Sequence, residues 1–185
     1  MTEPVGRAVE FWGYRWCAPI AAALHEHDRF STLLSATGIS RNALSRTLAR
    51  LEALGIMVRN TGYGHPLRPE YALTDYGRIV SAECRALLGQ IRPPERDIIL
   101  KKWSMPCICV ARPDGLSFTE FRRTLPTITP RALSLAIGDL RAGEIINVRR
   151  STARSHPSYH LTDRALAYRS SGLAINGQIN RFLAV

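Results

Sequence analysis

Lysine is almost missing from this 185-residue chain: Lys101 and Lys102 are the only two among 25 basic residues, set against 15 acidic ones. The net charge of +10 is therefore carried by arginine, whose planar, permanently charged guanidinium suits phosphates and guanine edges better than an ammonium does. Such a surplus favours a polyanionic partner, and by itself leaves nucleic acid, anionic membrane and acidic protein open. Cysteine is scarce and badly spaced for a metal. Cys17, Cys84, Cys107 and Cys109 form no CxxC pair, and no histidine stands near enough to complete a zinc pattern. No apolar run approaches the roughly twenty residues of a membrane helix. The N-terminal MTEPVGRAVEF carries an acid early and lacks a long apolar core, so no secretory signal is expected. With no export signal, a cytoplasmic protein with reduced thiols is expected. Catalytic patterns are missing too. His25-Glu26-His27 places its histidines on different helix faces, unlike a HExxH metal site, and there is no phosphate-binding loop or nucleophile elbow. Neither an enzyme nor a cofactor is expected.

What is present is a repeat. Ile39–Arg59 (ISRNALSRTLARLEALGIMVR) returns as Ile128–Arg149 (ITPRALSLAIGDLRAGEIINVR). Ile39, Ser40, Leu44, Ser45, Leu48 and Leu51 match Ile128, Thr129, Leu133, Ser134, Ile137 and Leu140 at one offset of about ninety residues. Each half is long enough for a modest core that gains from packing on the other. The expected domains are residues 1–92 and 93–185.

In chain order, Val5–His27 has helical periodicity through Phe11, Trp12, Trp16, Ile20 and Leu24, interrupted at Pro19, where a kink or a new helix from Trp16 is expected. The aromatic cluster Phe11, Trp12, Tyr14 and Trp16 reads as core and interdomain packing. Asp28–Thr37 reads as a short helix. Ser40 caps the next, Arg41–Leu54, which Gly55 ends. Ile56–Arg59 and Glu70–Leu73 form a hairpin, and a helix capped at Thr74 or Asp75 runs to about Gln90. Pro93-Pro94 reads as a stiff, extended joint. The order then repeats. A helix spans Ile98–Ala111, with Trp103 and Pro106 echoing Trp16 and Pro19. Thr129 and Pro130 start a helix, Tyr159–Asp163 repeats Tyr71–Asp75, and the last helix has candidate breaks at Gly172 or Gly177.

Three helices followed by a two-stranded hairpin is the winged-helix plan, whose last helix fits the major groove. The fold class is mainly α with small β-hairpin wings: two tandem winged helix-turn-helix domains. On the first reading helix Arg41, Asn42, Ser45, Arg46 and Arg50 lie away from the apolar stripe, with Ser40 at its start. Arginine can grip guanine O6 and N7, and asparagine adenine N6 and N7. Arg59, His65 and Arg68 belong to the first wing. The second copy keeps Thr129, Arg131 and Ser134 but carries Asp139, with Leu135 and Gly138 on faces that are polar in the first. Its wing is the more basic one, with Arg149, Arg150, Arg154 and His156. The expectation is a division of labour: the first half reads sequence through its helix, the second adds phosphate and minor-groove contacts through its wing.

The run Trp16…Pro19-Ile20…Leu24…Arg29-Phe30-Ser31…Leu33…Gly38-Ile39-Ser40…Leu44-Ser45…Leu48…Leu51-Glu52…Gly55-Ile56…Arg59…Pro66…Glu70-Tyr71…Leu73-Thr74…Gly77 resembles the HxlR type of bacterial winged-helix transcriptional regulator. Leu125-Pro126…Ile128-Thr129-Pro130-Arg131…Leu133-Ser134 resembles it independently. The resemblance implies double-stranded DNA as partner. Since such regulators usually carry one domain and work as homodimers on palindromic sites, it also implies a fused tandem in which one chain mimics the dimer. Some members sense oxidants through a cysteine just before the first tryptophan helix; Glu3–Arg15 holds none, and Cys17 reads as a small buried apolar residue. Glu144 stands near the place of Gly55, a departure in the second copy. A monomer with an internal pseudo-twofold axis and a homodimer both remain open, as does control by a small molecule. The alternative functions are a chromosome-organisation adaptor acting through protein partners and a replication-initiation type of DNA binder; the +10 charge favours DNA over the adaptor.

Overall fold

A computed structural model describes residues 8–60, 69–150 and 156–182. The first half contains α1 (Ala8–Trp12), α2 (Cys17–Ala23), α3 (Phe30–Thr37), α4 (Arg41–Ala53), β1 (Met57–Asn60), β2 (Glu70–Leu73) and α5 (Asp75–Gln90). The second contains α6 (Arg96–Ile99), α7 (Ser104–Val110), β3 (Leu116–Ser117), α8 (Phe118–Thr124), α9 (Pro130–Ala142), β4 (Ile146–Arg149), β5 (Ser158–Leu161) and α10 (Asp163–Phe182). This is the tandem winged helix-turn-helix order, mostly helical with two small antiparallel sheets. None of the described helices is long and apolar enough to cross a membrane.

The repeat extends to the hydrogen bonds that set each wing. After α4, Gly55 takes a left-handed φ of 68°, Ile56 N–H donates to Leu51 O at 2.9 Å, and Thr74 Oγ1 donates to Gly55 O at 2.7 Å. After α9, Glu144 takes φ 54°, Ile145 N–H donates to Leu140 O at 2.8 Å, and Thr162 Oγ1 donates to Glu144 O at 3.2 Å. A left-handed residue turns the chain out of α4 and of α9, and a threonine ties the start of the last helix of that half back to the turn. Glu144 is the one non-glycine with positive φ among the described residues, at a backbone cost of about 1–2 kcal/mol.

Of the two alternatives at Pro19 the structure has the new helix: α1 stops at Trp12 and α2 starts at Cys17 with Trp16 as its cap residue. Several elements differ from the sequence expectation. Ile98–Ala111 divides likewise into α6 and α7. Pro19 and Pro106 both sit in the first turn of the later helix, where a missing N–H is harmless and the fixed φ favours initiation. The same physics makes Pro93-Pro94 the start of a 3-10 turn, Pro93–Glu95, leading directly into α6, and not an extended joint. The second sheet has a third strand, in the order β3-β5-β4. The first half reduces that strand to a single bridge between Arg29 and Glu70. The last helix runs unbroken to Phe182. A Cβ at Gly172 would lie 2.4 Å from Met105 Cε and 2.7 Å from Cys109 Sγ, so this glycine allows close packing on α7 rather than a break.

The buried apolar residues of both halves form one continuous cluster. Its centre is α5 laid against α10, with α2 behind α5 and α7 behind α10. Equivalent helices of the two halves thus face each other, as in an isologous dimer interface. Phe11 and Trp12 are buried, and Trp12 Nε1 donates to Asn176 Oδ1 on α10 at 2.7 Å, which draws α1 across to the second half. Tyr76 stacks on Phe182 with centroids 4.2 Å apart. Glu95 is buried here and accepts from Tyr168 Oη at 2.5 Å, beside Arg164 Nε at 2.9 Å and the Arg92 guanidinium. Burial pushes its pKa up, but Tyr168, Arg92 and Arg164 together outweigh that and hold the carboxyl below its ordinary value.

Candidate nucleic-acid interface

Helix α4 is held by one apolar stripe. Leu44, Leu48 and Leu51 are buried on it, with Thr47, whose hydroxyl donates to Ala43 O at 2.8 Å. Ser40 Oγ accepts from Ala43 N–H at 3.3 Å, satisfying one donor of the first turn. Its own O–H stays available for an outside acceptor. With that face turned in, Arg41, Asn42, Ser45 and Arg46 are all exposed on the other. Neither Arg41 nor Arg46 forms an ion pair among the described residues.

Arg50 is placed differently. Its guanidinium pairs with Glu10 Oε2 at 2.5 Å, Nε donates to Glu10 O at 3.3 Å, and the group lies 5.5 Å from the Tyr14 ring centroid. The register-equivalent residue of α9 is Asp139, which pairs with Lys101 Nζ at 2.7 Å. One position on each of α4 and α9 is thus tied to the segment before it, with the charges exchanged. That exchange separates Arg50 from its neighbours on the exposed face, none of which is ion-paired among the described residues.

On α9 the buried stripe is Leu133, Ala136, Ile137 and Leu140. Thr129 Oγ1 accepts from Ala132 N–H at 3.2 Å, the counterpart of Ser40. Arg131, Ser134, Leu135 and Gly138 are exposed. In the wings, Arg59 ends the described exposed stretch of β1, Arg149 ends β4, and Arg150 and His156 are exposed beside the second tip. The pairings Met57↔Leu73 through Asn60↔Glu70, and Ile146↔Leu161 through Arg149↔Ser158, carry each hairpin away from its reading helix. His65, Arg68 and Arg154 lie outside the described residues.

The thiols are remote from this surface. All four are buried. Burial pushes Cys17, Cys107 and Cys109 up to about 12 and Cys84 higher still, so little thiolate is present at neutral pH. No group of three or more His, Cys, Asp or Glu suited to a metal occurs among the described residues. A half-open crevice of about 490 Å³ lies between α2, α3, α5 and α6, lined by Trp16, Pro19, Leu88 and Leu100 with Arg15, Arg85 and Arg96 at its polar edge.

The family model for the HxlR-like helix-turn-helix matches twice, over residues 11–91 and 98–170. An uncharacterized HTH-type transcriptional regulator of Mycobacterium tuberculosis (strain CDC 1551 / Oshkosh) is 39% identical over 87 residues, which is 46% of this chain and 55% of that protein. Similarly named regulators of Mycobacterium bovis and of M. tuberculosis strain H37Rv are each 38% identical over the same shares. The chain thus matches about half the length of these relatives. With both matched segments together spanning most of its length, the chain belongs to the HxlR-like helix-turn-helix family, with two copies of the family domain in tandem.

Proposed function

We propose that the chain binds double-stranded DNA sequence-specifically as a transcriptional regulator, with α4 in the major groove and the wings on the backbone or minor groove. The observation that carries this is the face of α4: Arg41, Asn42, Ser45 and Arg46 are exposed together, and its two arginines are without an internal ion pair among the described residues. Side chains that can read base edges are held out on a helix whose other face is locked into the core. Ser40 and Thr129 serve as caps that also offer an O–H to phosphate. Arg131 and Ser134 approach the second half-site, and Arg59, His65, Arg68, Arg149, Arg150, Arg154 and His156 follow the backbone or minor groove. Arg50 leaves the contact set, since Glu10 holds it.

The units divide at Arg92 and Pro93 in this reading. The face-to-face packing of α5 and α10 supports one chain acting as its own pseudo-dimer, with half-sites about one helical turn, roughly 34–36 Å, apart. The test is fluorescence anisotropy of the full chain on random duplex and on duplex selected from a random pool, over a range of salt. Tight, salt-dependent binding with a strong preference for selected sequence is expected. Binding that ignores sequence, or no binding at moderate salt, removes the reading.

A further inference from the structure

Leu44, Leu48 and Leu51 of α4 and Leu133, Ile137 and Leu140 of α9 are buried in the same register. Arg46 and Leu135 therefore hold the same place on the two exposed faces, and so do Ala49 and Gly138. Leu135 is 62% exposed, more than any other large apolar side chain among the described residues. It stands mid-helix, next to Ser134 and one turn from Arg131. A Cβ at Gly138 would meet nothing within 4 Å. No packing inside the chain requires that glycine, although it weakens a helix interior by about 1 kcal/mol relative to alanine. The effect of Leu135 and Gly138 together is a small apolar knob beside a patch of bare backbone that admits close approach. Arg131 stands one turn before Leu135, and Asp139, one turn after it, is paired with Lys101; Arg141, Arg149 and Arg150 are exposed elsewhere in the same half. This charge matches a duplex better than an apolar protein partner. The apolar group that a duplex presents at the major-groove edge is the thymine C5-methyl.

We propose that Leu135 reads a thymine methyl group in the second half-site, at the place where Arg46 reads a guanine in the first. The operator is then asymmetric: a G·C pair in one half answers an A·T pair at the corresponding position of the other. This rests on the DNA-reading function proposed above and adds a base identity to it. The second reading helix keeps its role and has exchanged hydrogen-bond readout for methyl readout.

The experiment selects sites for the full chain from random duplex. It then replaces each thymine of the selected site by deoxyuridine, one at a time, which removes only the methyl. Wild type should lose about fourfold in affinity at one position in the second half-site, the equivalent of one buried methyl at about 0.8 kcal/mol. Leu135→Ala should bind the thymine site more weakly by a similar factor and should not sense that deoxyuridine. Its circular dichroism should be unchanged, since the side chain is exposed on a helix. A palindromic selected site, a flat deoxyuridine scan, or a deoxyuridine effect that survives in Leu135→Ala overturns the proposal while leaving DNA reading intact. Failure to enrich any sequence overturns the DNA reading itself. A dimer seen by light scattering in wild type and lost in Leu135→Ala assigns the knob to a second copy of the chain, and also overturns the proposal.

Discussion

Arg50→Ala separates anchoring from reading. The Arg50–Glu10 pair is partly screened, its side chains being 25% and 51% exposed, and a pair of that kind contributes up to about 1 kcal/mol. The guanidinium near the Tyr14 ring adds about 0.5 kcal/mol at such an exposed site. Loss of Arg50 should therefore destabilise the fold by about 1–1.5 kcal/mol, seen as a lower urea midpoint at unchanged slope. The salt dependence of DNA binding should stay the same, because no phosphate contact is lost. The double variant Glu10→Lys with Arg50→Asp copies the Lys101–Asp139 arrangement of the second half and should recover much of the stability, with a coupling energy measurable in a double-mutant cycle. The reasoning fails if Arg50→Ala leaves the urea midpoint in place and lowers the salt slope by about 0.9, the signature of one lost phosphate contact.

Arg46→Ala should leave stability within about 0.5 kcal/mol of wild type and reduce sequence-specific binding more than Arg141→Ala, measured on the selected duplex; the opposite ranking assigns reading to the second half. Arg150→Ala combined with Arg154→Ala should lower the salt slope by about 1.8, read by anisotropy titration at several salt concentrations. Glu95→Gln should destabilise by about 1–3 kcal/mol at pH 7, since Arg164 and Tyr168 lose a charged partner. The folded-state pKa of Glu95 is depressed, so its contribution is complete above the ordinary glutamate pKa. It fades as the pH falls through that value and below, and the urea midpoints of wild type and variant should converge there. Gly172→Ala should cost about 1–3 kcal/mol by overpacking against Met105 and Cys109, measured by thermal unfolding.

The repeat, helices α4 and α9 and their hairpins are legible in the sequence because each rests on local signals: an apolar stripe at helical spacing, a capping hydroxyl at Ser40 or Thr129, a left-handed turn at Gly55. The misread elements are those where one residue type serves opposite ends. Proline can break a helix or begin one, and at Pro93 and Pro106 it begins one. Gly172 can end a helix or let another approach, and only the position of α7 decides. The two-residue strand β3 is too short for alternation to show; it exists because β5 offers it a partner.

On the candidate site, helical periodicity separates the exposed face of α4 from the buried one, but it does not show what an exposed arginine touches. Arg46 and Arg50 look alike in a helical projection. One is free of ion pairs among the described residues, and the other is bound to Glu10 from a helix forty residues earlier in the chain. Comparing the copies adds information, since Asp139 at the place of Arg50 is also ion-paired to the segment before its helix, while Leu135 at the place of Arg46 is exposed. Buried polar links between segments far apart in the chain, such as Trp12 to Asn176 and Tyr168 to Glu95, have no local signature at all.

The central claim, that the face of α4 reads duplex sequence, is tested most directly by the affinity ratio between selected and random duplex for wild type and Arg46→Ala at one fixed salt concentration. The account predicts a wild-type ratio of about 10³ or more that falls by at least tenfold in Arg46→Ala, while affinity for random duplex changes little. An equal ratio for the two proteins, or a wild-type ratio near one, would contradict it.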